Sequence, residues 1–365
     1  MSTILTQNTW PTAQWSDWHW QMQNRIKSLP QLQLIFPNAD LTGIDDALKL
    51  FQMAITPYYA SLIKKFDNTD PIFNMSVPQA SELISPPFIK TDPLDEDHHS
   101  PVHGLIHRYG DRALIMATST CAMYCRHCTR KRITSAAESC LMADQLDAIK
   151  NYLIQHSEIK DVIISGGDPF TLSTDKLESI LSSVRSVSSV EIIRIGTRTP
   201  VTMPMRITDE LISMLKRYHP VWINTHFNHP VEITKEAAEA CTILVDAGIP
   251  LGNQTVLLRG VNDTSEIIGN LCRDLIRIRV RPYYLFQCDM VPGVEHFRTP
   301  ITHGINIMRN LRGRISGIAI PTYVVDGNIG KIPVLPDSII SSDATNTTLC
   351  DSNGNIMIYQ EPSIN

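Results

Sequence analysis

Residues 112–132 read RALIMATSTCAMYCRHCTRKR, an apolar run that ends in three cysteines and a row of basic side chains. The first part, RALIMAT, has the short apolar character of a buried strand. The second part sets Cys121, Cys125 and Cys128 as C-x3-C-x2-C on the loop that leaves it. The densest chemistry of the chain therefore lies at the C-terminal end of a strand.

The same arrangement recurs downstream. DVIISG, VEIIRIG, VWINTHF, PLGNQTVLL and RPYYLFQ are further strand candidates. They alternate with MADQLDAIKNYLIQH, TDKLESILSSVR, TDELISMLKRYH, TKEAAEACTILVDAG and NDTSEIIGNLCRDLIRI, and THGINIMRNLRG closes the series. Each of these has apolar residues near i, i+3 and i+4, and several open with Thr or Asn and an acidic residue, a helix-start signal. Six strand–helix units imply a parallel sheet. No G-x-G-x-x-G follows any strand, so a barrel fits better than a dinucleotide-binding sheet. The expected fold is α/β, a partial (β/α)6 TIM-like barrel. Cys121, the SGGD of residues 165–168, Arg198, His226, Gln254 and Asp289 all fall at or just after strand ends, on the rim that carries active sites in barrels.

Outside the barrel the texture differs. Residues 1–100 read as a helical, wrapping N-terminal segment, with a helical pattern in DALKLFQMAITPYYASLIKKF interrupted at Pro57 and a Pro-, Asp- and His-rich stretch, SPPFIKTDPLDEDHHSPVHG, before the first strand. The barrel is expected over 101–317 and a C-terminal segment over 318–365. The chain has 365 residues, 43% hydrophobic, with a net charge of −5, which gives no global attraction to nucleic acid or anionic membrane. The N-terminus lacks a basic start and an apolar h-region, and no apolar run approaches the roughly 20 residues of a membrane span. The other cysteines are scattered singly, unlike a disulfide framework, so a cytoplasmic location is expected.

Thiolates at close spacing hold zinc or iron–sulfur clusters. A structural zinc site normally takes four ligands, and no second cysteine pair completes one. Three protein ligands on a four-iron cluster leave one iron free for a small molecule. Three free thiols is the plain alternative, and the iron–sulfur reading is favoured over both.

With His127 ahead of its last cysteine, this motif resembles the signature of radical S-adenosylmethionine enzymes. WSDWHWQMQNRI, QMAITPYY, SPVHGLIHRYGDRAL, YHPVWINTHFNHP, LGNQTVLLRGVND, VRPYYLFQCD, GVEHFRTP and PTYVVD extend the resemblance to the lysine 2,3-aminomutase family, over essentially residues 10 to 362. It implies a radical 1,2-amino shift converting L-lysine to β-lysine. The implied cofactors are a 4Fe–4S cluster on Cys121, Cys125 and Cys128, S-adenosylmethionine held by Ser165, Gly166, Gly167 and Asp168, and pyridoxal phosphate. Gln254 is a further candidate contact of S-adenosylmethionine. A small amino acid substrate, a flavodoxin- or ferredoxin-type reductant and a homo-oligomer are expected as partners, with no nucleic acid and no membrane.

An amine that migrates between adjacent carbons needs an aldehyde to hold its nitrogen, and pyridoxal phosphate rests as a Schiff base with a lysine. By resemblance that lysine is Lys331, in VVDGNIGKIPVLP, although the residues alone suit a surface lysine in a turn. Here only GNIG separates Asp326 from Lys331, shorter than the glycine-rich run typical of the family. Arg130 corresponds to the family's clamp for the substrate carboxylate, a task suited to a guanidinium. Arg108 and Arg112 resemble the residues that meet the cofactor phosphate, while Lys131 and Arg132 are expected in solvent. Asp289 and Asp326 each follow an apolar strand, where a carboxylate is costly unless paired. In the family such a pair grips the distal ammonium of lysine, and arginine is the next candidate. His226 fits a core hydrogen bond as well as chemistry. Thr264 stands where the family carries a zinc-ligating cysteine and the cysteine-rich tail is missing, so no structural zinc is expected. A radical enzyme acting on a protein or RNA would need a docking surface that the sequence does not display. A non-catalytic iron–sulfur protein would leave SGGD, Lys331 and the two aspartates unexplained.

Overall fold

The computed structural model describes residues 12–134, 137–335, 338–351 and 354–362. The extreme N-terminus, read above for a leader, lies outside the described residues. Nine strands form one sheet in sequential order: β1 (Leu105–Tyr109), β2 (Arg112–Thr118), β3 (Asp161–Gly166), β4 (Ile192–Gly196), β5 (Val221–Thr225), β6 (Leu251–Leu257), β7 (Arg281–Gln287), β8 (Thr322–Gly327) and β9 (Gly330–Pro333). Strands β2 to β8 run parallel, and β1 and β9 add antiparallel edges. The six expected strands are β2 to β7. The partial barrel is therefore as read, extended by one parallel strand and an antiparallel strand at each end.

Local chemistry explains the alternation. The helices Thr174–Arg185, Asp209–Lys216, Lys235–Asp246 and Ser265–Arg277 start at Ser173, Thr208, Thr234 and Thr264, whose side chains accept from backbone N–H groups of the first turn. Thr264, noted above for a missing cysteine, serves here as a helix cap. Leu177, Ile180, Leu181 and Val184 form the buried face of the first of these helices, and they pack into the same core as Ile164 and Ile195 of β3 and β4.

The stretch 318–365 divides. Residues 322–333 complete the main sheet, whereas β10 (Ile339–Ser342), β11 (Asn346–Cys350) and β12 (Ile356–Gln360) form a separate antiparallel sheet. The N-terminal segment carries short helices, and its Ile26, Leu32, Ile55, Tyr59 and Ile72 join the barrel core. Among the described residues no helix is long and apolar enough to cross a membrane.

Among the described residues no backbone pairing joins the two edges of the barrel. Side chains of β1 reach across instead: the Tyr109 hydroxyl accepts from the Lys331 N–H of β9 at 3.0 Å, and Arg108 Nη1 lies 3.2 Å from Asp326 of β8. A register irregularity between Ile106 and Tyr109 re-aims β1 at this point. Opposite it, β8 and β9 turn tightly, with Gly327 facing Gly330 and Asp326 facing Lys331. Gly330 has φ +115°, a conformation that side chains rarely adopt, which accounts for glycine next to Lys331.

Candidate active site

The cysteine loop leaves β2 and is fastened to the N-terminal segment. Tyr124 N–H donates to the Ala54 carbonyl and Arg126 N–H to the Met75 carbonyl, each at 3.0 Å. Arg25 holds the Cys121 carbonyl at 2.6 Å while pairing with Glu138. The basic run is not solvated as expected for Lys131. Arg126 and Lys131 both pair with the fully buried Glu82, at 2.6 and 3.0 Å, and Lys131 is 5% exposed. Arg132 pairs with Asp92 and Asp97. These acids sit in the segment read as a wrapping loop, and the excess of Asp and Glu opposite four clustered cations was the available signal.

Burial, then the neighbouring Cys125, pushes the Cys128 thiol up to about 11, and burial raises Cys121 well above the ordinary thiol range. A metal that binds such thiols displaces their protons. Among the described residues no group of three His, Cys, Asp or Glu side chains is disposed to hold a single ion. The C-x3-C-x2-C loop offers three sulfur donors, the ligand type that iron–sulfur clusters take. Arg198 reaches the same place, its Nη1 2.7 Å from Cys125 Sγ, and it is anchored by Glu232 at 2.7 Å.

The SGGD segment explains itself by contact. A Cβ on Gly167 would come within 2.4 Å of the Thr120 carbonyl oxygen, and one on Gly166 within 2.5 Å of that of Thr118. Only glycines let β3 lie against the backbone that leads into Cys121. Asp168 is buried, and its carboxylate accepts from Phe170 N–H, Thr197 hydroxyl and Arg198 N–H. Its side chain thus orders the β4 loop, leaving Ser165, Gly166 and Gly167 as the part of the segment with free surface toward a ligand. Gln254 is half-buried on β6, and its backbone bonds the ring of His226. Burial, then Arg198, lowers His226 to about 4, so it is neutral.

At the open seam of the barrel five of the anticipated residues meet. Asp326 lies 2.8 Å from Lys331 Nζ and 3.2 Å from Arg108 Nη1. Arg108 is 8% exposed, yet among the described residues its Nε and Nη2 have no hydrogen-bond partner. A buried guanidinium with two idle donors is costly unless an anion completes it. That vacancy beside Lys331 fits the phosphate of pyridoxal phosphate. Arg112 points elsewhere, pairing with Asp111 and stacking over Tyr109 at 4.1 Å from the ring centroid. Asp289, at the end of β7, accepts from the Thr129 hydroxyl, one residue beyond Cys128. Burial, then repulsion from Asp326, raises its carboxyl to about 7. Arg130 is close enough to affect both aspartates, and Glu96 grips it on one edge. Tyr109 and Glu96 are contributors that sequence reasoning did not assign, and Arg198, which it placed on the rim, was given no role there.

Comparison with known proteins agrees with this geometry. Residues 115–270 match the model of the radical SAM superfamily, and residues 308–365 match the model described as lysine-2,3-aminomutase. The L-lysine 2,3-aminomutase of Clostridium subterminale is 48% identical over 96% of this chain and 85% of its own length. That of Methanococcus maripaludis is 49% identical over 96% of this chain and 82% of its own. The glutamate 2,3-aminomutase of Clostridioides difficile is 43% identical over 96% and 84%. Those matches place the chain in the lysine 2,3-aminomutase family of the radical SAM superfamily, whose cofactors are a 4Fe–4S cluster, S-adenosylmethionine and pyridoxal phosphate.

Proposed function

We propose that the enzyme moves the α-amino group of L-lysine to the adjacent carbon, giving β-lysine. Relatives of similar identity are named for lysine and for glutamate, so membership of the family leaves the substrate open. The observation that carries the choice is the convergence of two carboxylates, Asp289 and Asp326, at one end of the site. A substrate with a second negative charge would be repelled there, and one with a distal cation would be held.

The cluster with S-adenosylmethionine supplies the radical, and pyridoxal phosphate supplies the carbonyl that carries the migrating nitrogen. Cys121, Cys125 and Cys128 hold the first and Lys331 the second, with the idle donors of Arg108 taking the phosphate. With Lys331 taken up by the cofactor, Asp326 would lose that counter-ion and keep only Arg108, leaving one of its oxygens for the substrate. Arg130 receives the substrate carboxylate, and Asp289 with Asp326 receives the distal ammonium. A flavodoxin or ferredoxin as reductant, a homo-oligomeric assembly and a cytoplasmic location belong to the same reading.

Reconstituted, reduced enzyme incubated separately with lysine, arginine and glutamate tests it. β-Lysine is the expected product. Faster turnover of arginine would move the substrate to the longer cation, since a guanidinium also meets two carboxylates. Turnover of glutamate would overturn the role given to the aspartates.

A further inference from the structure

We propose that Glu96 is a positioning residue that aims Arg130 at the substrate carboxylate and holds it away from Asp289 and Asp326. The proposal rests on the reading of Arg130 as the carboxylate clamp and deepens it.

Glu96 belongs to the acidic stretch that wraps the barrel before β1. It is 6% exposed and grips one edge of Arg130, with Nη2 to Oε1 at 2.6 Å and Nε to the two oxygens at 3.2 and 3.0 Å. A guanidinium offers two forked edges, and this contact uses the Nε/Nη2 edge. Among the described residues Nη1 meets no acceptor, and the Arg130 side chain keeps 20% exposure. The free edge is thus the one available to a ligand.

The need for such a tether follows from the neighbours. Arg130 lies within electrostatic reach of Asp326 and of Asp289. Both are poorly solvated, and Asp289 is held up to about 7 mainly by its burial. A mobile guanidinium on a long side chain would collapse onto those acids and cancel them. The site would then lose its anion receptor and its cation receptor in one movement. Glu96 prevents this by giving Arg130 a better partner on the opposite side. The wrapping stretch has further anchors, because Arg132, which also lies 3.9 Å from Glu96, pairs more closely with Asp92 at 3.3 Å and with Asp97 at 2.9 Å. Glu96 can therefore be altered while the loop keeps its other anchors.

The test uses holoenzyme and two ligands: lysine, and 1,5-diaminopentane assayed in competition with it, which keeps the distal amine but has no carboxylate. Glu96→Gln should raise the KM for lysine by roughly 10- to 100-fold, the range for losing a well-made charged hydrogen bond. The inhibition constant of the diamine, the iron content and the pyridoxal content should stay within about threefold. Glu96→Asp, which keeps the charge at shorter reach, should recover part of the loss. Equal weakening of lysine and diamine would mean general loosening and would overturn the proposal, as would an unchanged KM in Glu96→Gln. Arg130→Gln separates the two levels. If it leaves the lysine KM untouched, Arg130 is not the clamp and both readings fall. If it raises that KM while Glu96→Gln does not, only the role of Glu96 falls.

Discussion

The cysteine loop and the seam between β1 and β9 both crowd charge, but they balance it differently. Around the loop the three cations Arg126, Lys131 and Arg132 are spent on acidic partners within the protein, and Arg130, paired on one edge only, reaches toward the seam. At the seam Arg108 keeps two buried donors idle, and Asp289 is held toward its neutral form. Saturated ion pairs fix a backbone in place, which suits a loop that must hold a metal cluster before any substrate arrives. Unsaturated groups store a demand that a ligand can meet, which suits the role proposed for the seam, the binding of cofactor phosphate and substrate.

The largest effect should therefore come from the loop. Cys125→Ala removes one thiolate of three and the acceptor for Arg198 Nη1, leaving that buried cation without its sulfur partner. Anaerobic reconstitution of the unaltered enzyme should yield about four irons per chain, and the variant should retain none of the cluster and no activity. Cleavage of S-adenosylmethionine by the variant would show that the three thiols are not the cluster's ligands.

At the seam the covalent partner comes next. Borohydride reduction of the pyridoxal-loaded enzyme should fix the label on Lys331, and peptide mapping would read it. Label on another lysine would place the cofactor elsewhere. In Arg108→Gln the label should still reach Lys331, but at pyridoxal phosphate concentrations raised by roughly 10- to 100-fold, since the contribution lost is a charged hydrogen bond to phosphate.

The two regions also differ in how far the sequence discloses them. Strands β2 to β7 and their helices follow from apolar runs and caps, because a parallel sheet covered on its faces leaves each strand almost wholly hydrophobic. The cysteine loop is legible for the same local reason: its ligands lie within eight residues of one another. The seam is not local. Arg108 and Asp326 are 218 residues apart, and their pairing depends on where the sheet stops. The short GNIG link looked like a departure. In the fold it is a tight turn that sets Asp326 directly across from Lys331, which no property of the four residues announces. Glu82 and Glu96 were equally hidden. Their partners are fixed by how residues 12–100 wrap the barrel, and a wrapping path leaves no periodic trace.

Asp289→Asn tests the demand stored at the seam. Removing one partner of a buried charge pair typically costs about 3–5 kcal/mol, so the KM for lysine should rise on the order of a hundredfold or more. A KM that did not move would break the two-carboxylate grip and leave Asp326 alone as the cation's partner.

The smallest effect is the dependence on pH, and its sign is fixed by the direction of the Asp289 shift. Burial, then Asp326, raises this carboxyl to about 7, against about 3.9 for an unfolded aspartate. Below pH 7 the group is neutral and attracts no ammonium. The value of kcat/KM for lysine, which reports the free enzyme, should accordingly climb up to tenfold per pH unit and level off above about pH 7. Asp289→Asn should remove that limb and leave a lower profile. Stability runs the other way. Between about pH 4 and 7 the folded protein keeps a proton that the unfolded chain has lost, so this group destabilises the fold progressively as the pH rises. The penalty is absent below the unfolded value and complete above pH 7. Relative to the unaltered enzyme, Asp289→Asn should therefore melt higher at pH 8 than at pH 4. A variant that gains no thermal stability at pH 8 would mean that Asp289 is already paired in the free enzyme, and the contrast between a saturated loop and an unsaturated seam would then rest on Arg108 alone.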